Sequence, residues 1–489
     1  MADTTASITE LYHPLDEAEI GSKHWLTVLT AGMGFFTDAY DLFIIGTVTV
    51  LLTPIFHLST NQISLLNSIS LLASVAGALT FGKLMDRLGR KRMYGLEVSI
   101  LVVGAILSAL SWNFTSLLVF RILVGFGVGG DYATSAVITS EYANKKARGR
   151  LVGTVFAMQG FGLLAGPAIA SIFIGAGVPN SLAWRLMLGL GAVPAASVIY
   201  LRRKIRETPR YTLAVRGDVA TTAETVRWTL GDALQPMPNG HGAAATNGTA
   251  LADEVVPGSS TVSRSRVGLG ARLTSKPFLL RLVGTAGSWF LMDIAFYGNS
   301  VSSPLILKAL QPHGSLLSHT LISLAIFAAA ALPGYWVAVG LMDRLGRRRI
   351  QWQGFLVMAI AFAAIAVVPG AATNVWAFLV LFAISYFFIE FGPNETTFVY
   401  PSEIFPTAIR GTGDGISAAG GKLGAFLGAL VVPHLLKAAG ITGVMGVMAA
   451  VSVIGVVLTL VALPEPNGKT LEEASAETGP VPVLTEAAV

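Results

Sequence analysis

Long apolar runs separated by short polar stretches dominate this chain. Twelve of them can be marked, at about 25–52, 62–84, 94–112, 115–138, 149–173, 182–201, 279–303, 316–340, 350–369, 374–398, 410–434 and 440–463. A helix needs about 20 mostly apolar residues to cross the hydrocarbon of a bilayer. Inside lipid only helices and closed barrels satisfy their own backbone. Runs of this length therefore predict an all-α membrane protein with twelve transmembrane helices.

The polar stretches divide the chain. Residues 1–24 precede the first run, 202–278 separate the sixth from the seventh, and 464–489 follow the last. This gives an N-terminal six-helix bundle at 25–201 and a C-terminal one at 279–463. The segment 202–278 contains "PMPNGHGAAATNGTALADEVVPGSSTVSRSR", whose low hydrophobicity and Gly, Ser and Pro content predict a mobile linker. The tail is expected to be disordered for the same reason. The first 24 residues lack the basic start and short apolar core of a cleaved signal peptide, so the first helix is expected to be retained.

The two halves echo each other. "GKLMDRLGRKR" (82–92) follows the second run and "GLMDRLGRRR" (340–349) the eighth; "SEYANKKARG" (140–149) returns as "SEIFPTAIRG" (402–411). The first helix carries "GMGFFTD" (32–38) and the seventh "GSWFLMD" (287–293). Such duplication is typical of secondary transporters, whose site lies between the halves near the bilayer midplane. The repeated DRLG loops resemble the signature loop of the major facilitator superfamily, which implies two pseudo-symmetric six-helix bundles. Their aspartates, Asp86 and Asp343, are placed to pair with the basic cluster or to cap a neighbouring helix.

Charge supports this topology. The chain is 53% hydrophobic and 12% charged, against roughly 25% charged in soluble domains. Its net charge of +5 is not a nucleic-acid footprint. All but five of the 33 Lys and Arg lie in segments on one face, the exceptions being Arg185, Lys308, Lys437, Arg121 and Lys422. By the positive-inside rule that face is cytoplasmic, with both termini on it and the protein in the cell membrane. There are no cysteines, and the seven histidines have no metal-ligand spacing, so no metal or other cofactor is expected. No nucleophile–base constellation marks an enzyme.

Ionisable residues at membrane depth are costly and point to function. Asp38 and Asp41 lie three apart on one face of the first helix, where like charges repel and one carboxyl is disposed to hold a proton. Trp289, Asp293 and Tyr297 form one stripe on the seventh helix, offering an indole N–H, a carboxyl and a phenol to a cavity. Asp131 and Tyr132 follow "GFGVGG" in the fourth. Gln159 is a lone amide in the fifth. Asn394 follows "FGP", where Gly and Pro predict a break lining a cavity. Lys422 is a buried cation in need of a partner, either an anion or a carboxylate such as Asp38. Glu97 reads equally as a proton relay or an interfacial charge, Arg121 as a snorkelling structural residue, and Glu390 and Glu395 remain open.

The segments "GGDYATSAVITSEYANKKARG", "FFTDAYDLF" (35–43), "WFLMDIAFYGNS" (289–300), "GPNETTFVYPSEIFPTAIRGTGDGISAAGGKLGA" (392–425) and "ETPRYT" (207–212) together resemble the phosphate:proton symporters of the major facilitator superfamily. The resemblance spans both halves. It implies that inorganic phosphate is held by Tyr132, Gln159, Trp289, Asp293, Tyr297 and Asn394, with Lys422 beside the site. It implies proton movement through Asp38, Glu97 and Asp131; Asp41 and Asp293 join that set on the reading above. Where the family pattern has Pro-Leu after Gly-Gly-Asp-Tyr, this chain has Ala133-Thr134, which should straighten the fourth helix. The implied function is proton-coupled phosphate import by alternating access, with a proton symporter for another solute as the alternative. A receptor that binds without net transport is the rival of a different class.

Overall fold

The computed structural model describes residues 8–231 and 275–477. Among these residues every long element is a helix, and eleven helices are long and apolar enough to cross a membrane. The first five crossings are Ser22–Phe56, Thr60–Leu88, Arg90–Ala109, Phe114–Tyr142 and Arg148–Gly175. The sixth, Asn180–Arg203, is jointed at Gly191. The seventh to tenth are Lys276–Val301, Leu316–Leu345, Arg347–Val367 and Val375–Ile404. The last helix, Arg410–Ala462, would be roughly 80 Å long if straight, more than twice a bilayer's hydrocarbon. It breaks at Gly440 (φ 64°, ψ −168°) into the eleventh and twelfth crossings.

Helix starts follow local chemistry. Ser59 accepts from the Gln62 N–H and Asn113 from the Ser116 N–H, and each cap's own N–H donates back to the side chain of that third helical residue. Asn374 and Ser315 start the tenth and eighth crossings with the single bond, from the Ala377 and Ser318 N–H. These caps satisfy N–H groups that a helix cannot satisfy itself.

The duplicated DRLG turns are built alike. Gly89 and Gly346 have φ of 106° and 87°, a region that only glycine enters freely. Behind each turn stands a glutamate. Glu207 accepts from the N–H groups of Arg90 and Lys91, and Glu465 from those of Arg347 and Arg348. A Cβ on either glycine would strike that carboxylate.

These turns also tie the two bundles together. Asp86 pairs with Arg90 at 3.4 Å and accepts from the backbone of Gly411 and Thr412, at the start of the eleventh crossing. Asp343 pairs with Arg347 at 3.0 Å and accepts from Gly149 and Arg150, at the start of the fifth. Glu141 bonds Arg90 of its own bundle and Arg410 of the other. Glu403 bonds Arg347 of its own and Arg148 of the other. This charged face is thereby closed by two symmetric latches. At the opposite face His434 reaches Asn61 at 2.9 Å and Ser64 at 3.3 Å across the bundles.

Two expectations of disorder need correction. Residues 202–231 are not a free linker: they form Pro209–Tyr211, a π turn at Thr212–Arg216 and a helix at Val219–Leu230. Thr208 donates to Glu141, and Arg210 bonds Asp16, Glu472 and the Glu141 carbonyl. The tail is ordered through a helix at Leu471–Ser475, and Glu477 accepts from the Thr407 N–H. Composition alone misled here, because the charged residues of both segments find buried partners. The remainder of each segment, 232–274 and 478–489, lies outside the described residues.

Candidate functional site

Five of the polar residues singled out in the sequence, Tyr132, Gln159, Asp293, Tyr297 and Lys422, meet where the two bundles face each other, and none is more than 1% exposed. The Tyr132 hydroxyl from the fourth crossing lies 3.0 Å from that of Tyr297 on the seventh. Gln159 Nε2, on the fifth, donates to both, at 3.3 and 3.5 Å. Lys422 Nζ, on the eleventh, donates to the Tyr297 hydroxyl at 2.9 Å and sits 3.5 Å from the centre of the Tyr132 ring. It stands 3.8 Å from Asp293 Oδ2. One knot thus joins four crossings and both halves.

The wall around it is aromatic. Phe35 and Phe156 pack on Tyr132, Phe398 stacks on Phe156 with centroids 4.5 Å apart, and Trp289 lies 6.1 Å from Tyr132. The Trp289 ring lies against the eleventh crossing at Gly421, where any Cβ would collide with the indole. A dry aromatic wall strengthens every charge interaction inside it. Neither Asp293 oxygen has a hydrogen-bond partner, and the same holds for Asp38 Oδ2 and Gln159 Oε1.

Asn394 belongs to an adjoining group. The "FGP" break is a π turn, Glu390–Asn394, with Gly392 at φ −106°, ψ −112°. It aims the Asn394 amide at the Tyr335 hydroxyl, 2.8 Å away, and at the Glu390 carboxylate. The Tyr335 ring joins the aromatic wall through Phe156.

The acids of the first helix separate. Asp41 bonds Arg121 at 2.6 Å, a pairing that Asp38 does not share. Arg121 is therefore a buried counter-ion and does not snorkel. Lys422 pairs with Asp293, not with Asp38. Glu97 and Asp131 come together around a residue that the sequence reading left among the topological arginines: Arg202 reaches Glu97 at 2.8 Å and Asp131 at 2.7 Å. The fourth crossing runs unbroken through Ala133-Thr134. The Thr134 hydroxyl points to Glu97 at 3.0 Å and does not face the tyrosine knot.

The profile of the sugar (and other) transporter family matches residues 26–477. The chain belongs to that family of the major facilitator superfamily. It is 36% identical to inorganic phosphate transporter 1-4 of Arabidopsis thaliana, over 96% of each chain. It is 35% identical to low affinity inorganic phosphate transporter 1 of Petunia hybrida, over 95% of this chain and 94% of that one. The identity to probable inorganic phosphate transporter 1-8 of Oryza sativa subsp. japonica is 37%, over 95% and 93%. Among solved structures, the proton:xylose symporter XylE bound to 6-bromo-6-deoxy-D-glucose superposes with a TM-score of 0.78 at 21% identity, covering 94% of this chain and all of that one. That likeness establishes the fold, two six-helix bundles, and membership of the transporter family makes the chain a multi-pass membrane transporter, not an enzyme.

In this transporter two residues of the site region escaped the sequence reading. Arg202 sits in "YLRRK", where nothing distinguishes it from a cytoplasmic anchor. Tyr335 sits in "LPGYWVAVG", one aromatic among several. Only the packing of helices far apart in sequence reveals either.

Proposed function

We propose that this protein imports inorganic phosphate by alternating access, driven by protons, with the charged face and both termini in the cytoplasm of a cell whose membrane it spans. The observation that carries this reading is the knot of Tyr132, Gln159, Tyr297 and Lys422 beside Asp293, at the seam of the two bundles. It is rich in donors: two phenols, an amide and an ammonium, with the Trp289 indole and the Asn394 amide adjoining. Such a set replaces the water around a tetrahedral oxyanion. The names of the relatives support phosphate as the solute.

Asp293 supplies the coupling. An ionised carboxylate beside an anion is repulsive, so phosphate and a proton on Asp293 favour each other. Loss of that proton on the cytoplasmic side restores the repulsion and releases phosphate. Asp38 and the Glu97–Arg202–Asp131 group are the further proton carriers. One guanidinium opposite two carboxylates leaves an excess negative charge that a proton can neutralise. Differential affinity between the outward and inward states then drives the cycle. Asp41, held by Arg121, is placed to hold the first helix in register.

The test is labelled phosphate uptake into proteoliposomes of purified protein, with and without an inward proton gradient. Accumulation that needs the gradient, collapses with a protonophore and disappears in Asp293→Asn is the expected result. Gradient-driven uptake in Asp293→Asn equal to that of the unaltered protein defeats the coupling role. Competition by sulfate, sugars and organic acids against labelled phosphate separates the alternative solutes.

A further inference from the structure

Two carboxylates of the tenth crossing lie outside the phosphate knot. Glu390 opens the π turn, and its Oε2 accepts from Asn394 while its Oε1 has no hydrogen-bond partner. Glu395 directly follows the turn, is wholly buried, and has no partner for either oxygen. Among the described residues no cation forms an ion pair with either. The N-terminal half is arranged differently, since its acids Glu97 and Asp131 share Arg202, a cation that keeps its proton throughout. A buried carboxylate with neither cation nor donor is costly when ionised, and Glu395 is such a group.

Their placement makes a path. The seventh crossing, which carries Asp293, packs on the π turn. The Asn394 amide joins the Glu390 carboxylate to the Tyr335 hydroxyl of the eighth crossing, and Glu395 follows Asn394 directly, on the side of the charged face. Gly153 of the fifth crossing and Val339 and Met342 of the eighth lie beside Glu395: a Cβ on Gly153 would stand 3.1 Å from Glu395 Oε2, 3.4 Å from Val339 and 3.6 Å from Met342. Val339 in turn lines a cavity of about 570 Å³ at the charged face, with Ala147, Arg150, Gly340 and Asp343. In order from the site outward come Asp293, Glu390, Glu395 and that cavity.

We propose that Glu390 and Glu395 carry the proton that leaves Asp293 to the cytoplasmic cavity, through the C-terminal half. The inference rests on the proton-coupled reading above and adds the exit. The O–H bond of Asp293 breaks as one forms on the Glu390 carboxylate. Glu390 passes its proton to Glu395, and Glu395 releases one to water in the cavity. Each glutamate ends as it began, and Asp293 is left ionised beside the phosphate it expels.

Two assays on the same proteoliposomes test this: uptake driven by a proton gradient, and exchange of labelled for unlabelled phosphate at equal pH, which needs no net proton release. In Glu395→Gln, exchange should stay within about twofold of the unaltered protein while driven uptake falls tenfold or more, since general acid–base steps are worth about 10²–10⁴ in rate. Glu390→Gln should lose driven uptake too, and Glu395→Asp should recover part of it. Unchanged driven uptake in both glutamine variants overturns the route. Loss of exchange together with driven uptake, in glutamine and aspartate variants that elute as folded protein, also overturns it by marking Glu395 as structural. An unaltered protein that exchanges phosphate without responding to the gradient removes proton coupling itself, and one that does neither removes phosphate; both failures differ from that of the exit alone.

Discussion

Lys422 Nζ lies 3.8 Å from Asp293 Oδ2 and donates to the Tyr297 hydroxyl at 2.9 Å. The one lysine of the seam thus touches both the residue placed to carry the proton and a residue placed to bind the anion. On the function proposed above, a proton on Asp293 would free the ammonium for phosphate. Lys422→Met should weaken phosphate binding by about 10–100-fold, because hydrogen bonds to charged groups are worth about 1.5–3 kcal/mol and a factor of ten is 1.4 kcal/mol. Equilibrium binding of labelled phosphate to purified protein reads this directly.

Arg202 is the sole described ion-pair partner of both Glu97 and Asp131. Arg202→Met leaves two buried carboxylates without a cation and should cost about 3–5 kcal/mol, the usual penalty for breaking a buried pair. The expected outcome is a lower melting temperature in detergent, with partial recovery in the double variant Arg202→Met, Glu97→Gln.

Asp86 and Asp343 each cap a helix of the opposite bundle. A cap is worth about 0.5–2 kcal/mol. The double variant Asp86→Ala, Asp343→Ala should therefore shift the balance toward opening at the charged face by about fivefold or more. The chain has no native cysteine, so cysteines introduced at the exposed Arg87 and Arg344 can carry spin labels cleanly. A longer label-to-label distance population in the double variant is the expected signal.

The tail helix docks through Glu472, which bonds Arg210 at 3.0 Å. Burial disfavours the Glu472 carboxylate, but Arg210 and Arg410 outweigh burial and hold the group below its ordinary range. A lowered acid contributes docking stability above the undocked value, near 4.3, and loses it as pH falls through the docked one. The tail should resist proteolysis at neutral pH and become cleavable, by an acid protease, as pH drops below about 4. Glu472→Gln should be cleaved alike across that range.

Much of this was legible in the chain because lipid imposes simple rules. Run length and the DRLG repeats specified the crossings, and buried polar residues pointed to Tyr132, Gln159, Trp289, Asp293, Tyr297 and Lys422, which lie at or around one knot. What escaped depends on pairing between distant helices. Arg121 and Arg202 read as anchors because nothing local shows that Asp41 or Asp131 will face them. Glu207 and Glu465 sit behind equivalent turns, yet "RETPRYT" and "PEPNGKT" share too little for the echo to be seen. The order at 202–231 was hidden by averaging over a longer, Gly- and Ser-rich segment.

The reciprocal sharing of Glu141 and Glu403 has a mechanical consequence. Each glutamate holds one arginine from either bundle, so neither bundle can withdraw from one without disturbing the other. Parting the bundles at the charged face would break the Glu141–Arg410 and Glu403–Arg148 pairs together. A half-parted form would leave unpaired guanidinium and carboxylate groups at both seams and be penalised twice. The duplicated loops thus act as a guard against slippage, the leak of ions or solute that a door with one hinge loose would allow.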